Sequence, residues 1–272
     1  MNRLKTLLAA ALLLLSGITC QSVSANLVLS APPLGKAAAE RKVYEPMAAW
    51  LSEVLGETVE YHHASNFGLY QAEMQLGKYD IVFDGPHFSE WRVVKMKHQI
   101  LARAPGQLAF VVVVKDSDRE YQTLSDLKGR SLCGLAPPNL ATQTVFQQFK
   151  IAEPHLLLSP SFQAAFKQML AGKCTAVILA KRMYDRMSKN ASVRSRVIFT
   201  SREFPSLTIT ASNKISAEKV AELRKKLVSP EAQAAMPGFV KQYTAGKGLI
   251  PANPEDYLGM EQLLKDSWGF GI

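Results

Sequence analysis

Short apolar runs alternate along the chain with stretches whose hydrophobic residues recur every three or four positions. The first pattern marks buried strands and the second amphipathic helices. The spacing predicts a strand over residues 26–32, ended by a Pro-Pro turn. A helix follows over 40–55, with Val43, Met47, Trp50, Leu51 and Leu55 on its apolar face and Gly56 closing it. Residues 58–62 read as a second strand, and 67–76 as a short helix stopped by Gly77. Residues 79–83 (YDIVF) form a continuous apolar strand that turns out through Asp84-Gly85-Pro86, and 90–97 is helical. Residues 108–114 (LAFVVVV) are the longest β-branched run and read as a fully buried strand.

A second series repeats the pattern. Residues 124–129 make a turn of helix, 131–135 a strand, and Ala136-Pro137-Pro138-Asn139 a turn that opens a helix over 141–149. A helix over 162–171 ends at Gly172. Residues 174–179 read as a strand and 181–187 as a helix, 197–199 and 207–210 as strands, and the chain from Ala217 onward as mostly helical. Such alternation predicts an α/β protein with parallel sheets covered on both faces. The chain goes out at 108–114 and returns near 197–209, which divides it into two lobes joined by two crossings. Residues 26–113 and 205–272 form lobe 1, and 114–204 form lobe 2. Ligands of such sheets sit beyond the carboxyl ends of the strands, so the expected site is the cleft between the lobes.

Residues 1–25 stand apart from this pattern. Arg3 and Lys5 precede nine consecutive apolar residues at positions 7–15, and Val23 and Ala25 are small residues suitably placed for cleavage before Asn26. This is the layout of a secretory signal peptide. As a membrane anchor the run falls short of the roughly 20 residues that span a bilayer. Export sets the expected compartment as the periplasm and leaves two cysteines, Cys133 and Cys174. In an oxidising compartment an even pair reads as one disulfide; two unrelated buried thiols are the alternative. The net charge of +9 falls to +7 once Arg3 and Lys5 are removed. The remaining Lys and Arg are scattered rather than clustered, so the sequence points away from nucleic acid.

Four stretches, in order and spacing, resemble the periplasmic substrate-binding proteins of phosphate, phosphite and phosphonate ABC transporters, the PhnD-like family. They are residues 44–51 (YEPMAAWL), 77–86 (GKYDIVFDGP), 124–130 (LSDLKGR) and 171–177 (AGKCTAV). The resemblance implies the type II periplasmic-binding-protein fold. It also places the two cysteines on neighbouring strands of lobe 2. Two departures stand out. Family members that hold phosphonates carry a Ser-Thr-Ser run where this chain has Asn139-Leu140-Ala141, followed by Thr142. A His that reaches the phosphonyl group in such members is matched by Phe162.

Candidate ligand residues follow from both lines. The amides of Ala141, Thr142 and Gln143 at a helix start, with the side chains of Asn139 and Thr142, offer donors to an anion. Plain helix capping by Asn139 is the structural alternative. Asp84 and His87 leave the carboxyl end of a strand, where a carboxylate can take an amine or hydroxyl and an imidazole can donate to an anion. Turn formation and a satisfied core histidine are the competing readings. The family often places an aromatic donor at Tyr44, and Tyr70 sits on the next loop and helix; either Tyr also fits as packing. Trp91 reads as core. The five His show no metal-ligand spacing, and no nucleophile, phosphate-loop or dinucleotide motif is present. The expected protein is therefore a monomeric, non-enzymatic, cofactor-free solute-binding protein. It captures a small oxyanion such as phosphate or phosphonate for an ABC permease. The alternative is a protein of the same fold with a diverged pocket that modulates a membrane sensor.

Overall fold

The computed structural model describes residues 26–150, 152–265, 267, 269 and 270. The expected signal peptide, with Cys20, lies outside the described residues. Two sheets organise the chain. The first has strand order β13-β4-β12-β3-β1-β2. It comprises β1 (Leu27–Ser30), β2 (Val59–His62), β3 (Ile81–Asp84), β4 (Gln99–Arg103), β12 (Thr208–Ala211) and β13 (Ile250–Pro251). The second has order β10-β6-β9-β7-β8. It comprises β6 (Phe110–Lys115), β7 (Ser131–Gly134), β8 (His155–Leu158), β9 (Ala176–Ala180) and β10 (Ser195–Thr200). A separate two-stranded ribbon pairs β5 (Gln107–Leu108) with β11 (Phe204–Pro205), where the chain passes from one sheet to the other and back.

Neither sheet is purely parallel, which corrects the expectation from strand-helix alternation. β1 pairs in parallel with β2 and β3, and β7 with β8 and β9. β12 runs antiparallel between β3 and β4, and β6 antiparallel between β9 and β10. Both reversed strands carry the crossings, so each enters its sheet from the far side. The predicted strand over 108–114 is split: Leu108 belongs to the ribbon, and all of β6 pairs in the second sheet. The expected boundary at 113/114 therefore falls inside a strand.

The helices form where the apolar period places them. In α1 (Ala37–Leu55), Tyr44, Met47, Leu51 and Leu55 are buried against the first sheet, and Gly56 takes the left-handed conformation that ends the helix, at φ 64°. α2 (Phe67–Gln75) is capped by the Asn66 side chain accepting from Leu69 N. α3 (Pro86–Met96) starts four residues earlier than predicted, because Pro86 sits at the first helical position, where its missing N–H costs nothing. Alternate residues of β6 face opposite ways. Val112 and Val114 pack with Leu132 and Val145, whereas Val111 and Val113 pack with Cys133, Cys174 and Phe166. The second sheet is thus covered on both faces. α4 (Leu140–Phe146), α5 (Phe162–Leu170) and α6 (Lys181–Met187) belong to this half, and α7 (Ala217–Leu227), α8 (Pro230–Ala235) and α9 (Pro237–Tyr243) to the other. Cys133 and Cys174 are joined in a disulfide across 41 positions, with Cα atoms 5.9 Å apart.

The C-terminal segment departs from its expected place in lobe 1 alone. In the 3-10 turn Met260–Leu264, Met260 and Leu263 join the core of the second half. Leu264 and Phe270 instead join Tyr70, Phe88 and Trp91 in the first. The physical reason is spacing: a turn of three residues sends successive apolar side chains to different sides, here to different lobes.

Candidate functional site

Two loops at strand carboxyl ends meet. One is Gly85-Pro86-His87 after β3, and the other is the Pro137-Pro138 turn after β7, whose peptide bond is cis. His87 Nε2 stands 3.0 Å from the Pro138 carbonyl oxygen. A carbonyl only accepts, so the imidazole carries its proton on Nε2 and leaves Nδ1 as an acceptor. That Nδ1 is buried without a hydrogen-bond partner. Burial lowers the His87 pKa to about 4, with the Pro138 hydrogen bond opposing, so the ring is neutral at pH 7. Gly85 makes this pose possible: a Cβ there would lie 2.8 Å from the His87 ring. The sequence pattern gave the loop but not this approach.

Behind His87 lies a closed polar network. Asp84, at the end of β3, accepts from Tyr70 Oη at 2.8 Å and from Ser89 Oγ at 2.7 Å. Arg92 donates to Asp84 Oδ2 through Nε and Nη2, each at 3.2 Å, and to Tyr70 Oη at 2.8 Å. The guanidinium also lies 5.7 Å from the ring centres of Tyr70 and Tyr79. Arg92 is 1% exposed and Asp84 1%. Burial disfavours the charged guanidinium, but Tyr70 and Asp84 outweigh it and hold the Arg92 pKa above its ordinary value. Burial raises the Tyr70 pKa well above the usual phenol range; Arg92 opposes this and Asp84 adds to it. The sequence reading reached Asp84 and Tyr70 but missed Ser89 and Arg92. Their spacing of three, on the helix face shared with Phe88, was the available signal.

Across the junction, the α4 residues are also engaged within the protein. Asn139 caps the helix, its Oδ1 accepting from Ala141 N at 3.0 Å. Thr142 Oγ1 donates to the Leu135 carbonyl at 2.7 Å, and Gln143 Nε2 donates to Ser267 Oγ. Ala141 is fully buried in the second core.

Tyr44 is not brought to this junction. It lies two turns inside α1, stacked on Tyr61 with ring centres 4.9 Å apart and hydrogen-bonded to Tyr243 Oη at 2.9 Å. Burial raises its pKa, with Tyr243 and Glu40 adding to the rise. Near it, Glu40 is a residue that sequence reasoning did not single out. It accepts from Leu34 N at 2.8 Å and Gly35 N at 2.7 Å, and His63 Nδ1 stands 2.8 Å away. These contacts pin the loop after β1. Among the described residues no three His, Cys, Asp or Glu side chains gather as a metal site requires.

Comparison with known proteins agrees with this architecture. A family model described as ABC transporter, phosphonate, periplasmic substrate-binding protein matches residues 31–257. No curated protein matches. Among solved structures, a Xanthomonas citri protein bound to ATP shares 13% identity at a TM-score of 0.71, covering 88% of this chain and 96% of its own. PhnD1 from Prochlorococcus marinus, in complex with methylphosphonate, shares 18% at 0.69, covering 88% and 97%. A binding protein component of an ABC phosphonate transporter from Pseudomonas aeruginosa shares 16% at 0.64, covering 88% and 85%. At these identities the structures speak for the type II periplasmic-binding-protein fold, two α/β lobes joined by two crossings.

Proposed function

The chain belongs to the periplasmic substrate-binding proteins of phosphonate ABC transporters, and from that premise we propose that it captures a small phosphonate or phosphate between its two lobes and hands it to an ABC permease. The lobes divide at the β5/β11 ribbon, and residues 1–25 direct export and are removed. The observation that carries this reading is the His87–Pro138 contact, which sets the strand-end loops of the two sheets face to face. When the lobes part, that hydrogen bond breaks. His87 Nε2–H is then free to meet an oxyanion at the turn that carries Asn139, Ala141, Thr142 and Gln143, with Asp84 and Tyr70 holding the β3 loop behind it. Tyr44 stays in the core and acts only by positioning α1. A calorimetric titration against methylphosphonate, phosphate, phosphite and sulfate tests the proposal. ATP joins the panel because one fold relative was solved with it. At least one should release saturable heat, weakened about tenfold or more in His87→Leu, in line with loss of one charge-assisted donor. No heat from any of them, with a folded protein, would sink the transport reading.

A second reading keeps the fold but moves the task to a membrane sensor. It is favoured by the mutual engagement of the polar groups: Asp84 holds three internal donors, and the Thr142 hydroxyl serves Leu135. It expects crosslinking to a sensor's exported domain in the absence of any oxyanion.

A further inference from the structure

A cavity of about 850 Å³ runs along the outer side of α4, and at one end it reaches Pro137, Thr142 and Gln143 beside the turn after β7. This is within the size range of small-molecule sites. Its two sides differ in chemistry. The side built by α4, the turn after it and β8 offers Phe146, Phe149 and Leu156, all half-buried. The two Phe rings stand edge-on with centres 6.0 Å apart. The facing side, built by the chain leading from β10 into the ribbon and by the C-terminal segment, offers Arg202 and Lys265, both exposed. The Arg202 guanidinium is held 4.5 Å from the centre of the Phe204 ring, so it is placed by stacking rather than by a carboxylate. Neither cation has an ion-pair partner among the described residues. Glu153 is the one acid among the described lining residues. Gln143, fixed by its bond to Ser267, adds an amide at the seam between the sides.

We propose that this cavity binds a small aromatic anion, its flat apolar body on Phe146, Phe149 and Leu156 and its acidic group at Arg202 and Lys265. A bare oxyanion would leave the apolar wall uncovered, and a neutral ring would leave two unpaired cations unanswered. Only a ligand with both parts matches the two sides. The C-terminal wall, including Gly259, Leu263 and Lys265, lies beyond residue 257, where the family match ends. The cavity shares Pro137, Thr142 and Gln143 with the junction, whereas its apolar wall and its two cations lie outside it.

The test titrates the mature chain with naphthalene-2-sulfonate by calorimetry. Methanesulfonate serves as the control without a ring and naphthalene-2-methanol as the control without charge. Naphthalene-2-sulfonate should bind saturably and both controls at least about tenfold more weakly, since each lacks one of the two contact types. Arg202→Gln with Lys265→Gln, exposed substitutions that leave the core intact, should weaken it by a similar factor, as should Phe149→Ser. Absence of saturable binding to the folded chain, or binding indifferent to the Arg202/Lys265 pair, would each overturn the proposal.

Discussion

His87 ties a single titration to the stability of the whole chain. In the unfolded chain its imidazole has the ordinary histidine pKa near 6.5, whereas burial lowers it to about 4 in the folded protein. Between those values the unfolded state binds the extra proton. Stability is therefore fully present above pH ~6.5 and is lost as pH falls toward 4. At pH 4.5 the loss from this one group is about 2–3 kcal/mol. His98, buried beside Thr210 and lowered to about 3 by burial and by Arg92 and Lys214, acts in the same direction. Urea unfolding at pH 7.5 and 4.5 should show the wild type losing several kcal/mol. In His87→Gln, whose amide still donates to Pro138 but does not titrate, the drop should shrink by about 2–3 kcal/mol. An identical drop in the variant would contradict the burial of a neutral His87. At this scale the sequence could place a histidine on a strand-end loop. It could not reveal the tautomer, because Pro138 lies 51 positions away and is brought near only by the meeting of two sheets.

Elements were legible where local pattern and tertiary pairing agree. The helix over Phe162–Leu170 was readable from end to end: Ser161 accepts from Ala164 N at its start, and its apolar face carries Ala165, Phe166 and Met169. β4 and β8 were not seen. The run QILAR of β4 has no alternation, and it becomes a strand only because β12 and β13 pair on either side of it. β8 (HLLL) is an edge strand with Leu157 and Leu158 exposed, so its apolar residues do not report burial. The disulfide belongs to this scale too, since it staples the end of β7 to the residue run that opens β9. Closing a loop of that length should contribute about 4 kcal/mol in the chain-entropy account. Cys133→Ser with Cys174→Ser should lower the unfolding free energy by roughly that amount. Equal stability of the oxidised protein and the double variant would show that the bridge constrains little in the unfolded chain.

At the scale of the whole molecule, the C-terminal segment supplies several of the ties between the two lobes among the described residues. Leu263 is anchored in one core and Leu264 in the other. Gln143 reaches Ser267, Gln75 reaches the Gly269 carbonyl, and Phe270 packs edge-on against Trp91 at 5.5 Å. None of this was legible in the sequence, where residues from Ala217 onward read simply as further helix for one lobe. A short turn that splits its apolar residues between two cores has no periodic signature. The arrangement makes the segment a clasp: interfaces between lobes of one chain are commonly modest, so a few buried side chains can decide whether they stay together. Ending the chain at Gly259 should therefore let the lobes separate. Compact chains of this length have a radius of gyration of about 18 Å, and hinge opening should raise the value measured by small-angle scattering by about 1–2 Å. Hydrogen exchange should quicken at His87–Phe88 and across Asn139–Gln143, while the cores around β3 and β6 keep their protection. Leu263→Ser, which removes one anchor and leaves the backbone whole, should give a smaller shift in the same direction and keeps the test valid if the shortened chain folds poorly. Scattering and exchange unchanged in both variants would mean that the His87–Pro138 contact and the ribbon hold the lobes without help from the C-terminal segment.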